Sequence, residues 1–374
     1  MVQETRVYLD HAASSPMPAS VREAMAEALA GAGNPSSLHG SGRAARRRLE
    51  QARESVAADL GARPGEVVFC SGGTEANNLA VLGAAGAAGE VLVSAVEHPS
   101  VIEARRVLGE RLRVLAVDDT GRVDPSGVAA AIGPATRLVS VMWVNNETGA
   151  LQPVAAVAEQ ARLAGVLAHS DAVQAVGHLP VDFGSSGLDL LSFSGHKLGG
   201  PVGIGALLVR RGVTLTAPGF GGGQEARLRS GTVPVALAVG LAAALRESVR
   251  RLAGEATRLA GLGDRLLTGL RALPGVRVNT TAPATPAILH ASFEGVRSDD
   301  LLLLLDAAGI DCSTGSACTA GVHQPSEVLL AMGRDLAAAS GSLRFSFGPS
   351  TTPAEIDAVL RVLPGALASA RAAY

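Results

Sequence analysis

Cysteine is scarce: Cys70, Cys312 and Cys318 are the only three in a chain of 374 residues. So small and odd a number does not write a disulfide framework, which excludes a secreted, cross-linked scaffold and leads us to expect a reducing cytoplasm. Long apolar runs are also missing. The stretch 235–245 falls well short of the ~20 residues that cross a bilayer, and the start, MVQETRVYLDHAASSP, lacks the basic-then-apolar order of a signal peptide. No charge dominates: 32 Lys and Arg against 34 Asp and Glu leave a net charge of −2, which gives no electrostatic reason to seek nucleic acid or an anionic membrane. The eight histidines are scattered, with no C-x-x-C or H-E-x-x-H spacing, so no metal site is expected. Soluble small-molecule chemistry is the class these absences leave.

What is present is a chain with 47% hydrophobic residues, enough for one large core and a smaller one. Ser20 and Glu23 form a capping-box pattern, and Ala45, Leu49, Ala52, Val56 and Leu60 trace the buried stripe of a further helix, closed by Gly61. Near-continuous apolar runs at 67–69, 91–94, 113–117, 138–144, 166–169, 190–193 and 206–209 read as strands covered on both faces, most of them separated by helices. That rhythm predicts an α/β fold with a mostly parallel central sheet sandwiched by helices, and ligands beyond the carboxyl ends of its strands. From about Pro234 a long helix reaches roughly Leu273. Strands near Val276 and 287–293, and helices at 298–308, 325–332 and 353–367, then make a smaller α+β unit. The expected division is 14–253 for a large domain and 1–13 with 254–374 for a small one.

Several strand ends carry chemistry. Lys197, in LLSFSGHK before a glycine-rich turn, suits a Schiff base, because partial burial lowers an amine's pKa and a strand end fixes its reach. Asp171 and Gln174, in HSDAVQ, follow another strand. An acid there can keep the ring nitrogen of pyridoxal phosphate protonated, and the amide can reach the ring hydroxyl. In SGGTEANN, residues 71–78, Gly73 and Thr74 open a helix and present N–H and hydroxyl donors to a phosphate. His98, in EHP, can stack on a ring and handle protons near neutrality. Cys318 lies among small residues in STGSACTAG, a setting for an accessible thiol, whereas Cys70 reads as a buried small hydrophobe and Cys312 as structural. Arg344 could clamp a carboxylate with its planar fork; the bland alternative is a surface cross-strand arginine.

Together with YLD at 8–10, NPSS at 34–37, VNNETG at 144–149, GGGQE at 221–225, RSGT at 229–232 and LRFS at 343–346, these segments resemble the NifS/IscS-like cysteine desulfurases, a branch of the class V aminotransferase superfamily with the fold-type I architecture. The resemblance implies a pyridoxal-phosphate enzyme that converts L-cysteine to L-alanine and leaves the sulfur on Cys318 as a persulfide. It implies that Lys197 forms the Schiff base, His98 stacks on the ring, and Asp171 and Gln174 hold its nitrogen and hydroxyl. Thr74, Ser194 and His196 look like phosphate ligands. Thr232 would reach the phosphate of a neighbouring subunit's cofactor, so a homodimer is implied. Asn34, Asn146 and Arg344 would orient the substrate carboxylate. Lys197 and His98 are the candidates for proton transfer, with His98 the partner for the Cys318 thiol. A sulfur-acceptor protein, an iron–sulfur scaffold or a thiolation enzyme, is the implied partner. The spacing from Cys318 to Ser326 and Met332 resembles the longer-loop group that delivers sulfur directly, and the end at Tyr374 soon after the last helix departs from the housekeeping members, which extend further near their scaffold partner. The competing reading is a selenocysteine lyase or another class V lyase on the same scaffold.

Overall fold

The computed structural model describes residues 6–315 and 324–373. A short strand, β1 (Val7–Tyr8), precedes helices α1 (Ala19–Leu29) and α2 (Gly40–Asp59). On α2, Ala45, Leu49, Ala52 and Val56 are buried as their spacing demands, and Gly61 takes the left-handed φ of +64° that ends the segment. The capping box is a correction. Pro18 fixes an extended entry and α1 starts at Ala19, so Ser20 falls inside the first turn and donates instead to Glu247 Oε2 at 2.5 Å.

A seven-stranded sheet follows: β2 (Val67–Cys70), β3 (Glu90–Ser94), β4 (Leu112–Leu115), β5 (Thr136–Ser140), β6 (Leu167–Asp171), β7 (Leu190–Ser194) and β8 (Gly205–Val209), in the order β2-β8-β7-β6-β5-β3-β4. Helix α3 (Gly73–Ala85) follows β2, α4 (Pro99–Ile102) and α5 (Arg105–Leu108) follow β3, α6 (Pro125–Ala131) follows β4, and α7 (Val154–Leu163) follows β5. Strand β8 runs antiparallel to both its neighbours while the rest are parallel. The cause is the connection: a parallel return needs a crossover of about a dozen residues or more, and β7 reaches β8 through a glycine-rich turn. The central strands are buried on both faces, but at the edge strand β4 Arg113 and Val114 are exposed, contrary to the two-sided cover expected there.

Helix α8 (Val235–Arg271) is 37 residues long, ~55 Å at 1.5 Å per residue. Its first half packs Ala238, Leu241 and Leu245 into the core beneath the large sheet, and its second half packs Leu259, Leu262, Leu266 and Leu270 into another core. That second core is built on the antiparallel sheet of β9 (Val276–Val278), β10 (Ile288–Phe293) and, further on, β12 (Ser342–Ser346). Between them come α9 (Ser298–Ala307), β11 (Ile310–Asp311), α10 (Glu327–Ala331) and α11 (Leu336–Ser340), and α12 (Pro353–Ala373) closes the described chain. Helix α11, held at its start by Asp335 accepting from Ala338 N, is too short to leave a periodic signal. The N-terminal strand β1 pairs with β11, and Ser346 N donates to Leu9 O, so the stretch 9–13 is stitched to the small sheet and delivered to the edge of the large one. Among the described residues no helix is long and apolar enough to cross a membrane.

Candidate active site

Strands β2, β3, β6 and β7 share one direction, so the segments that leave their carboxyl ends gather on one side of the sheet. These are the turn into α3, the Glu97–His98–Pro99 corner, Asp171–Gln174 and Ser194–Lys197. Lys197 sits in a single 3-10 turn, Gly195–Leu198, closed by Gly199 at φ +83°. Its Nζ donates to the carbonyls of Ala12 (2.7 Å) and Ala13 (2.9 Å), and Gln174 Nε2 donates to the same Ala12 oxygen at 2.9 Å. Among the described residues no hydrogen bond to a carboxylate holds the amine. Burial, assisted by the Arg344 charge and opposed by Asp10 and Asp171, lowers its pKa to about 8. An unperturbed lysine titrates near 10.4. Covalent capture of a simple aldehyde at Lys197, trapped with borohydride, should therefore rise with pH and level off just above about 8; a rate still climbing toward the ordinary lysine range would contradict this environment.

Asp171, 4% exposed, closes β6 and accepts from Val173 N at 2.9 Å. Its other oxygen accepts from Asn77 Nδ2 at 2.6 Å, and the same amide donates to Ser100 Oγ at 2.8 Å. Ser100 Oγ lies 2.8 Å from His98 Nδ1, which also accepts from Ser100 N. A buried chain of hydrogen bonds thus ties the Asp171 carboxylate to the His98 ring. Burial lowers the His98 pKa, with the Lys197 charge adding to that and Asp171 opposing it. Beneath the ring, Glu97 Oε1 accepts from Ser94 Oγ (2.6 Å) and Met142 N (2.8 Å), and burial raises its pKa to about 8. Glu97 thereby locks the corner that carries His98 to the neighbouring strand segment.

Arg344 is not a surface arginine: it is 4% exposed in a fully buried β12. Nη2 donates to Asp10 Oδ1 at 2.7 Å and Nη1 to the Asn146 carbonyl at 2.8 Å, which leaves its Nε without a partner among the described residues. The class-V aminotransferase family model matches residues 7–359. An IscS-like cysteine desulfurase of Mycobacterium tuberculosis is 49% identical over 384 aligned residues, covering 98% of this chain and 97% of that one. A solved NifS-like protein superposes with a TM-score of 0.90 at 34% identity, over 97% of this chain and 100% of its own. SspA, solved in complex with cysteine, gives 0.80 at 32% identity over 92% and 99%.

The chain belongs to the class-V aminotransferases, among the NifS/IscS-like cysteine desulfurases.

Enzymes of this family use pyridoxal phosphate, and the local chemistry here fits that group. Gly72 precedes helix α3 and offers no side-chain cap, leaving the first N–H groups of the helix to a ligand. Space is tight at Gly73 and where β8 passes the turn: a Cβ on Gly73 would lie 2.7 Å from Val173 Cγ2, and one on Gly205 only 2.5 Å from the Phe193 carbonyl and 2.8 Å from Gly72. Buried Ser194 stands beside Gly72 and Gly73, Thr74 is exposed at the mouth, and half-buried His196 adjoins Lys197, whose charge adds to burial in lowering the His196 pKa to about 4. Asn34 and Thr232 lie elsewhere in this chain, both exposed; Asn34 Oδ1 accepts from Ser36 N in its own turn. Cys318 lies outside the described residues. Cys70 and Cys312 are buried free thiols, both raised in pKa mainly by burial, Cys312 to about 12, which suits neither for nucleophilic work at neutral pH.

Asn77, Ser100, Asp10 and the Ala12 and Ala13 carbonyls belong to the site without having been singled out from sequence. Asn77 had a signal: it lies one helical turn beyond Thr74 in a motif already marked. The two carbonyls had none, since any residue can supply them.

Proposed function

We propose that this chain is a cytoplasmic, homodimeric cysteine desulfurase that works with pyridoxal phosphate, converts L-cysteine to L-alanine and carries the sulfur on Cys318. Lys197 is the observation that carries the reading. A half-buried amine with a pKa near 8, held by main-chain carbonyls between Asp171 and Arg344, suits a lysine that forms and yields an imine. When bound, the cofactor supplies an aldehyde for the substrate amine and a ring that accepts the electron pair at Cα. Asp171, ordered by Asn77 and Val173 N, would face the ring nitrogen. His98, held through Ser100, would cover the ring, and Gln174 would meet its hydroxyl. The turn at Gly73 and Thr74, with Ser194 and His196, would hold the phosphate. Arg344 would grip the substrate carboxylate, with Asn146, whose carbonyl it already holds, beside it.

Lys197 then takes the Cα proton. The Cys318 thiolate attacks the substrate sulfur: an S–S bond forms, the substrate C–S bond breaks with its electron pair left on Cβ, the proton given up by the thiol goes to Cβ, and Lys197 returns the proton to Cα, which completes alanine. Residues 14–253 form the cofactor domain, and 1–13 with 254–374 the smaller domain that bears Cys318. The persulfide passes to an acceptor protein, an iron–sulfur scaffold or a thiolation enzyme. Supplied with L-cysteine, the loaded wild-type enzyme should yield alanine together with a persulfide, while Cys318→Ala keeps the cofactor's colour and forms none. Normal alanine production by Cys318→Ala would replace this reading with a lyase that needs no protein thiol.

A further inference from the structure

Glu225, Ala226 and Arg227 hold positive φ angles of 46°, 55° and 65° with no glycine among them. An L-residue seldom sits there even singly, and a run of three persists only where its surroundings over-determine it. Here the determinant is the buried Glu225 carboxylate. Arg53, from α2, donates Nη2 to Oε1 at 2.6 Å and Nη1 to Oε2 at 2.9 Å, and Phe69 N, in β2, donates to Oε2 at 2.7 Å. The Arg53 guanidinium also lies 4.8 Å from the centroid of the Phe69 ring. The side chains of this pair are 11% and 2% exposed. Two neighbours extend the fastening: Gly231 N donates to Gln224 Oε1 at 2.9 Å, and Arg229 Nε to Glu75 Oε1 at 3.3 Å. The segment ends at Thr232, which is exposed.

We infer that the Arg53–Glu225 pair is a pin that holds this strained backbone so that Thr232 meets the cofactor phosphate of a second copy of the chain. The inference rests on the homodimeric, pyridoxal-phosphate reading above and adds a positioning residue to it. Because the pin acts on the partner's site, it should complement in trans. Glu225→Gln keeps the volume and removes the charge. Its apparent Kd for pyridoxal phosphate, read by absorbance titration of the dimer, should rise at least ~10-fold, the loss of about one charge-assisted contact.

A hybrid dimer of one Glu225→Gln subunit and one Lys197→Ala subunit should then recover alanine formation. The intact Lys197 of the first subunit meets the correctly held Thr232 of the second, giving one competent site per hybrid. A pin that serves its own subunit, through Phe69, gives no recovery, because neither site is then whole. Adding Ala226→Gly to Glu225→Gln should restore most of the lost affinity, since glycine adopts this conformation without strain; a role in packing alone would gain nothing from it. Wild-type-like cofactor affinity in Glu225→Gln, or hybrids that assemble without recovering activity, overturn the pin while the proposed function stands. A wild-type protein that takes up no pyridoxal phosphate overturns both.

Discussion

Lys197→Ala should lower alanine formation from L-cysteine by at least ~10⁴-fold, the upper end of what one proton-transferring group contributes, and leave the folded state no less stable at neutral pH. The first effect follows from position: the site has one lysine at the junction of the Asp171, His98 and Arg344 segments, and the two carbonyls that hold it cannot replace an amine. The second follows from linkage. The folded pKa, about 8, lies below the unfolded value, so the unfolded chain binds the proton more tightly between the two. Burying the ammonium therefore costs stability fully below about pH 8, and that cost disappears as pH rises toward the unfolded pKa. Lys197→Arg makes the separation sharper, because guanidinium never becomes neutral in this range and so should be as inactive as alanine. Steady-state alanine assays beside thermal melts at pH 7 test both halves; a marked fall in Tm for Lys197→Ala would mean the lysine is structural.

Arg344→Ala should cut kcat/KM for L-cysteine by ~10²–10³-fold and lower the melting temperature as well, since breaking a buried charge pair costs about 3–5 kcal/mol. The guanidinium spans two elements, Asp10 from the N-terminal segment and the Asn146 carbonyl from the turn after β5, and its Nε proton has no partner among the described residues. A substrate carboxylate would supply one. Arg344→Lys should recover stability better than kcat/KM, because an ammonium can answer Asp10 but lacks the fork that holds a carboxylate in two places. Equal recovery of both would argue that Arg344 only pairs with Asp10.

The residues at strand ends were legible because each motif is local: a buried run announces the strand, and the polar residue just beyond it announces the site. Asp171, His98 and Lys197 are of this kind. What was not legible depended on long-range return of the chain. The Ala12 and Ala13 carbonyls reach Lys197 only because β1 pairs with β11 and Leu9 with Ser346, a pairing that two-residue strands do not advertise. The antiparallel direction of β8 follows from the length of a turn rather than from its own apolar residues, which would suit either direction. Ser20 carried a true capping pattern, overridden by Pro18 one turn edge earlier and by a carboxylate on α8. The left-handed run at 225–227 is invisible in residue types that ordinarily avoid it, and it is the Arg53 and Phe69 contacts to the Glu225 carboxylate that explain why it is tolerated.

Helix α8 also bears on how the molecule comes apart. Its two halves are each a wall of a different core, and no loop separates them. Loss of either core strips one side of a continuous helix, and an isolated half-helix is marginal in water. Partial melting therefore exposes fresh apolar surface on the surviving half, so the two cores are bound to a common fate. Opening one core should therefore weaken the other, so that sub-global opening spreads along α8.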